Sequence, residues 1–154
     1  ASVCLGSSLV LSSMVASSAA TPSTYCTAPH TGTYAFLGSV NMNGLSRTFS
    51  SWASPYYLFV PASTTTTTVA QGSTYTLSVT SIPDATAANT IASVWFDWNR
   101  NGTFEASEWT QLWTSAASGS VQITVPANAS IGQTWMRVRT RGSGNLNGSA
   151  DACT

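Results

Sequence analysis

Between Thr74 and Thr80 apolar and hydroxyl side chains alternate without a break: Tyr75, Leu77 and Val79 stand between Thr74, Thr76, Ser78 and Thr80. A period of two sends successive side chains to opposite faces of a strand. The segment therefore predicts a strand with one face in a core and the other lined with hydroxyls. Val121, Ile123 and Val125 alternate in the same way with Gln122 and Thr124 before Pro126 ends the run. Met136 and Val138 alternate with Trp135, Arg137 and Arg139. Ile91 to Trp98 is apolar on both faces, as expected of a covered strand. Phe36 to Met42 leads into Asn43-Gly44, the strongest short hairpin signal, and on to Leu45 to Phe49. No ten-residue window carries a helical period. Short strands with turn signals about every 8–12 residues predict an all-β fold, an antiparallel β-sandwich of jelly-roll-like character. The threonine run Thr64 to Thr68 fits an edge strand, with an O-glycosylated patch or a flat stacking surface as the alternatives.

Charge narrows the partners. Only 6% of the 154 residues are charged, and five arginines, with no lysine, balance five acidic groups. With no basic run, nothing favours nucleic acid or an anionic membrane. Aromatics at 10% and hydrophobics at 43% set the chain apart from disordered sequences. Serine and threonine supply about a third of the residues, well above ordinary globular usage. Such a composition suits a secreted β-protein whose surface titrates little, and it gives up charge repulsion as a defence against self-association. Cys4, Cys26 and Cys153 allow one disulfide in an oxidising compartment and leave one thiol over. Asn101, Asn128 and Asn147 each begin an N-glycosylation pattern, which chance readily supplies in so hydroxyl-rich a chain.

The chain divides into an uncharged arm, residues 1–24, and a body, residues 25–154. The arm carries Val3, Leu5, Leu9, Val10, Leu11, Met14 and Val15. Serine interrupts every stretch long enough to span a bilayer, so no membrane span is expected. The sequence opens at Ala1 without a basic n-region; a retained piece of a signal h-region is the alternative.

One motif has the spacing of metal chemistry. Counting Asp97 as position 1, oxygen-bearing side chains fall at Asp97, Asn99, Asn101, Glu105 and Glu108, with Gly102 at the sharp turn. Thr103 would offer its backbone carbonyl. That is the spacing of a calcium loop, in which alternate side chains converge on one centre and a last glutamate closes the shell. The flanking segment reads as strand, so this is not an EF-hand, and two neutral amides among the first three ligands predict weak affinity. The plain alternative is a polar turn whose side chains bond its own backbone.

These residues also carry a resemblance. Val94-Trp-Phe-Asp-Trp-Asn-Arg-Asn-Gly-Thr-Phe, followed by Glu108, resembles the core of the GEVED domain, a β-sandwich module of secreted bacterial proteins. Tyr25-Cys26, the Val40 to Thr48 hairpin, the Gly72 to Thr80 strand, and Val125 to Gly132 with Met136-Arg-Val-Arg are similar to further segments of that domain, in the same order. The resemblance implies a β-sandwich attached to surface proteins, adhesins and secreted enzymes, without a catalytic role of its own. It also implies that Cys26 pairs with Cys153, matching the family's early and late cysteines. Two departures stand out. The family's closing Gly-Glu-Val-Glu-Asp run lies beyond Cys153-Thr154, and Tyr56-Tyr57-Leu58 stands where the family often has an Asp between aromatics.

A sandwich lacking a strand exposes unpaired backbone groups and apolar core, and a spare uncharged arm complements that slot. The first functional expectation is therefore a structural subunit of an extracellular filament, its copies joined head to tail by strand exchange of the arm. The alternative is an adhesive or carbohydrate-binding module of a larger cell-surface protein, with Trp109 and Trp113 stacking on surface glycans or else packing in the core. An enzyme is not expected. His30 is the single histidine, and Glu105 and Glu108, the one carboxylate pair, are already used by the loop. Arg137, Arg139 and Arg141 share a face, expected to be solvated with cross-strand partners or else to meet an anion or an interface.

Overall fold

In a computed structural model of the chain, residues 8–13, 25–27, 35–49, 66–83 and 89–154 are described. Among the described residues nine strands form two sheets: β1 (Ser8–Ser13), β2 (Ala35–Met42), β3 (Leu45–Thr48), β4 (Thr66–Ala70), β5 (Thr74–Pro83), β6 (Thr90–Phe96), β7 (Trp109–Ala116), β8 (Ser118–Thr124) and β9 (Gly132–Gly142). One sheet runs β4-β1-β9-β6-β7 and the other β3-β2-β5-β8. The expected sandwich is present.

The alternation read from the sequence sets the layers. Leu77 and Val79 on β5, Ile123 on β8 and Val40 and Met42 on β2 point inward, where they meet Val94 and Phe96 of β6 and Met136 of β9. Asn43 and Gly44 both take positive φ, 46° and 86°, which is what a two-residue hairpin turn between β2 and β3 requires. Asn43 then binds the opposite sheet, its amide donating to the Thr68 carbonyl at 2.7 Å. The threonine run supplies β4 at the edge of its sheet, with Thr66 and Thr68 exposed and Val69 buried; Thr64 and Thr65 lie outside the described residues.

Every residue of β6 is buried, as its two-sided apolar pattern predicts. Its inner side faces the sandwich core. Its outer side is covered by residues 143–154: Ser93 donates to the Asn147 carbonyl and the Trp95 indole to that of Ser149. Cys26 and Cys153, 127 residues apart in sequence, form a disulfide with Cα atoms 5.7 Å apart, as the family resemblance implied. A second apolar cluster gathers there: Tyr25, Trp95, Phe104 and Ala152, with Trp109, Trp135 and Cys153 against it.

The arginine row on β9 differs from expectation. Arg137 is buried and Arg139 and Arg141 are half-buried, so the row is not a freely solvated face. Their guanidinium groups hold the carbonyls of the closing segment: Arg137 that of Ala152 at 2.7 Å, Arg139 that of Asp151, Arg141 that of Leu146 at 2.5 Å, and the last two share Thr154. Guanidinium groups carry only donors, and the backbone oxygens of the closing segment supply acceptors for them. The two tryptophans proposed to stack on sugars are committed to packing. Trp113 lies in the core with its indole on Thr90 Oγ1 at 3.0 Å, and Trp109 is half-buried against the second cluster.

Candidate functional site

Two places bear on function: the slot filled by β1, and the turn from Asp97 to Glu108.

Among the described residues β1 is the one element from the arm, and it occupies an interior position in its sheet. It pairs antiparallel with β4, from Ser8↔Ala70 to Ser12↔Thr66, and parallel with β9, from Leu9↔Gly132 to Ser13↔Met136. The β1–β9 pairing is the one parallel ladder among the described strands; every other pair is antiparallel. Both backbone edges of β1 are therefore used. Without it, β4 and β9 would each present a row of unpaired N–H and C=O groups, which are costly to leave unmade where water is excluded. The slot is filled here by the chain's own strand, the intramolecular form of the pairing expected between copies. Of the arm residues named above, Leu9, Val10 and Leu11 lie in β1; Val3, Leu5, Met14 and Val15 lie outside the described residues.

The turn begins where β6 ends. Asp97 is fully buried, and a buried carboxylate needs several donors to offset lost hydration. Its Oδ1 accepts from the Asn101 N–H at 3.1 Å, and its Oδ2 from the Gly102 N–H at 3.0 Å and from the Tyr25 hydroxyl. Asn99 and Asn101 repeat the motif locally: Oδ1 of Asn99 accepts from the Asn101 N–H at 2.9 Å, and Oδ1 of Asn101 from the Thr103 N–H at 2.9 Å. Both amide groups donate to Glu105, at 2.9 Å each. Glu108, on a single 3₁₀ turn (Ala106–Glu108), accepts from the Trp98 N–H at 2.8 Å and the Glu105 N–H at 3.1 Å. Arg100, at φ 61°, and Gly102, at φ 83°, supply the left-handed corners that fold the turn back. Arg100 then reaches across to the carbonyls of Ile131 and Gln133, over Gly132, where a Cβ would displace the guanidinium and the φ of 121° disfavours any other residue.

The residues of the calcium spacing lie together in one hydrogen-bonded turn. Asp97, Asn99, Asn101, Thr103, Glu105 and Glu108 share this turn, and the carboxylate and amide oxygens among them accept from loop donors. Among the described residues no three His, Cys, Asp or Glu side chains form a group able to hold a metal ion.

Burial raises the Glu108 carboxyl above its ordinary value, and the Asp97 charge adds to this against the backbone donors that lower it. Burial first, and then the hydrogen bond to Asp97, raise the Tyr25 phenol. Tyr25 lies outside the Asp97–Glu108 spacing. Its partner is 72 residues away, and no local pattern could announce it. It packs on Phe104 at 5.0 Å between ring centroids, and Phe104 in turn lies 4.7 Å beneath the Arg137 guanidinium.

The turn at Asp97, Met136-Arg-Val-Arg on β9 and the segment closed by Cys153 all lie in one continuous stretch of the chain. Residues 91–154 match the GEVED domain. No curated protein and no solved structure gave a match. The GEVED match spans β6, the turn, β7, β8, β9 and the closing segment clamped by the arginines. It is a match to a module, of the kind carried by larger proteins. The upstream similarities, from Tyr25 to Thr80, lie outside the matched residues, yet the fold brings Tyr25 into the GEVED part and bonds it to Asp97.

Proposed function

We propose that this protein is a non-catalytic structural subunit of an extracellular filament, joined to its neighbours by exchange of β1. The observation that carries the reading is the placement of β1 between β4 and β9, with both edges paired, while the segment after it is long enough to release it. Ser13 ends beside Met136, and Tyr25 packs against Trp135, the adjacent residue of β9. Residues 14–24 therefore link two places on neighbouring parts of one strand. Eleven residues can extend over roughly 36–40 Å, several strand spacings more than that link needs. A neighbour's slot offers the same backbone partners as the chain's own, so exchange gains a joint without losing a contact. A disulfide between Cys26 and Cys153 supports residence in an oxidising compartment outside the cytoplasm. The scarcity of charge removes the repulsion that keeps monomers apart.

Deletion of residues 1–20 tests the reading. The truncated protein should form no fibres under electron microscopy, and a synthetic peptide of residues 1–20 added in excess should cap the intact chain as monomers. Normal fibres from the truncated protein would refute it.

A further inference from the structure

The outward face of the β3-β2-β5-β8 sheet is a grid of small neutral polar groups. Reading across the strands by register, one row is Thr48, Ser39, Thr80 and Ser118, and the next is Ser46, Asn41, Ser78 and Ser120. Thr76 with Gln122 and Thr74 with Thr124 continue it along β5 and β8. The rows run up to the half-buried Phe36–Ile82 pair. Arg47, the one charged residue on these four strands, stands at an alternate position of β3 and so on the opposite face.

The groups are held in place by one another. Ser39 bonds Thr80 at 2.8 Å, Ser46 donates to Asn41 at 2.7 Å, Ser78 bonds Ser120 at 2.8 Å and Thr74 bonds Thr124 at 2.9 Å. Each hydroxyl pair spends one proton, leaving the second proton and the spare lone pairs for other partners. The grid therefore repeats donors and acceptors at about 4.8 Å between strands and about 6.8 Å along them. Pre-bonding fixes rotamers that would otherwise lose entropy on binding.

We infer that this face binds an insoluble neutral polysaccharide. A charged partner finds no counter-charge on it, and an apolar partner would leave its hydroxyls unsatisfied. The complementary surface is a broad one that is itself uncharged and covered with hydroxyls. Exchanging one water hydrogen bond for one sugar hydrogen bond gains little, so useful affinity needs many contacts made together. An extended polymer chain lying along a row meets one residue from each of four strands, whereas a short soluble sugar meets too few. The grid uses none of the groups of β1, β4 or β9 and is independent of strand exchange.

The test is depletion of the full chain from solution by microcrystalline cellulose, chitin and an insoluble β-1,3-glucan. Saturable binding to at least one is expected, without competition from soluble oligosaccharides and without change between low and high salt, since no charges are there to screen. Thr76→Lys with Ser120→Lys should weaken binding by about 10-fold or more through lost contacts and an unmatched charge. The melting temperature should be retained, and Thr114→Lys on β7 should bind as the parent does. Absence of binding to all three polymers, or binding equal in the doubly substituted face, would overturn the inference. So would thermal hysteresis without polymer binding, which would assign the grid to ordered water, or self-association lost in the same variant, which would assign it to a second copy.

Discussion

The Tyr25 hydroxyl donates to Oδ2 of Asp97, so the start of the body is bonded to the turn that follows β6, 72 residues on. Removing that donor leaves a fully buried carboxylate with one fewer partner. Tyr25→Phe should cost about 1.5–3 kcal/mol in urea unfolding, the range for hydrogen bonds to charged groups. A loss below about 0.5 kcal/mol would show the bond to be incidental. The raised Tyr25 phenol adds a spectral check. One tyrosine should fail to ionise in the native state as pH passes the ordinary tyrosine value, and Tyr25→Phe should abolish that resistant fraction.

Glu108 gives a pH dependence in the opposite sense to most paired carboxylates. Its native value is raised, chiefly by burial, so the fold favours the protonated form. Its contribution is complete below the ordinary glutamate value and is lost as pH rises through the raised native one. Stability of the parent relative to Glu108→Gln should therefore fall across that window, measured as the difference in urea midpoints between acidic and neutral buffers. A difference that grows with pH would mean that the backbone donors of Trp98, Asn99 and Glu105 outweigh burial.

The arginine clamp and the disulfide hold the closing segment together. Arg137 bonds the carbonyls of Cys26 and Ala152, one on each side of the Cys26–Cys153 bridge. Reduction should destabilise the fold by up to about 5 kcal/mol, the chain-entropy value for so long a loop. Arg137→Ala should raise amide exchange in residues 143–154 while leaving β5 and β8 protected. Uniform exchange across both sheets would contradict this local role.

The hydrogen-bonded turn sets an expectation for calcium. An accepted N–H occupies one lone pair of a carboxylate or amide oxygen and leaves another, so the turn remains open to a weakly held calcium ion. An unchanged melting temperature in saturating calcium would favour the plain turn. Binding at about 100-fold excess over Kd would add about 2.7 kcal/mol, or roughly 5–10 °C for a chain of this size. A rise of that order, lost in Asp97→Ala, would show that the loop holds the ion.

Much of the architecture is legible in periodicity. Leu77 and Val79 point to the core, and Asn43-Gly44 turns the chain, because alternation and turn chemistry are local properties. The partners of long-range polar groups were not legible. Arg137, Arg139 and Arg141 share a face by period two, but whether that face meets water or carbonyls depends on where residues 143–154 travel. The calcium spacing was equally visible, yet spacing fixes only which oxygens are near one another. What they accept from is decided by the turn, by Arg100 at its left-handed corner and by Tyr25 from another part of the chain. The parallel placement of β1 had no signal in Leu9-Val10-Leu11, which specify an apolar strand but not its neighbours.

Strand exchange is tested most directly by locking β1 to its partner and asking whose partner it is. Val10 and Thr68 face each other in the β1–β4 register. In a Cys4→Ser background, Val10→Cys with Thr68→Cys should oxidise across that pair. Assembled from an equal mixture of isotopically light and heavy subunits, the oxidised protein should run as a covalent ladder in denaturing gels and yield light–heavy disulfide peptides joining β1 to β4. A single monomer band with only light–light and heavy–heavy peptides, at every concentration that gives fibres, would place β1 in its own chain and contradict the filament mechanism.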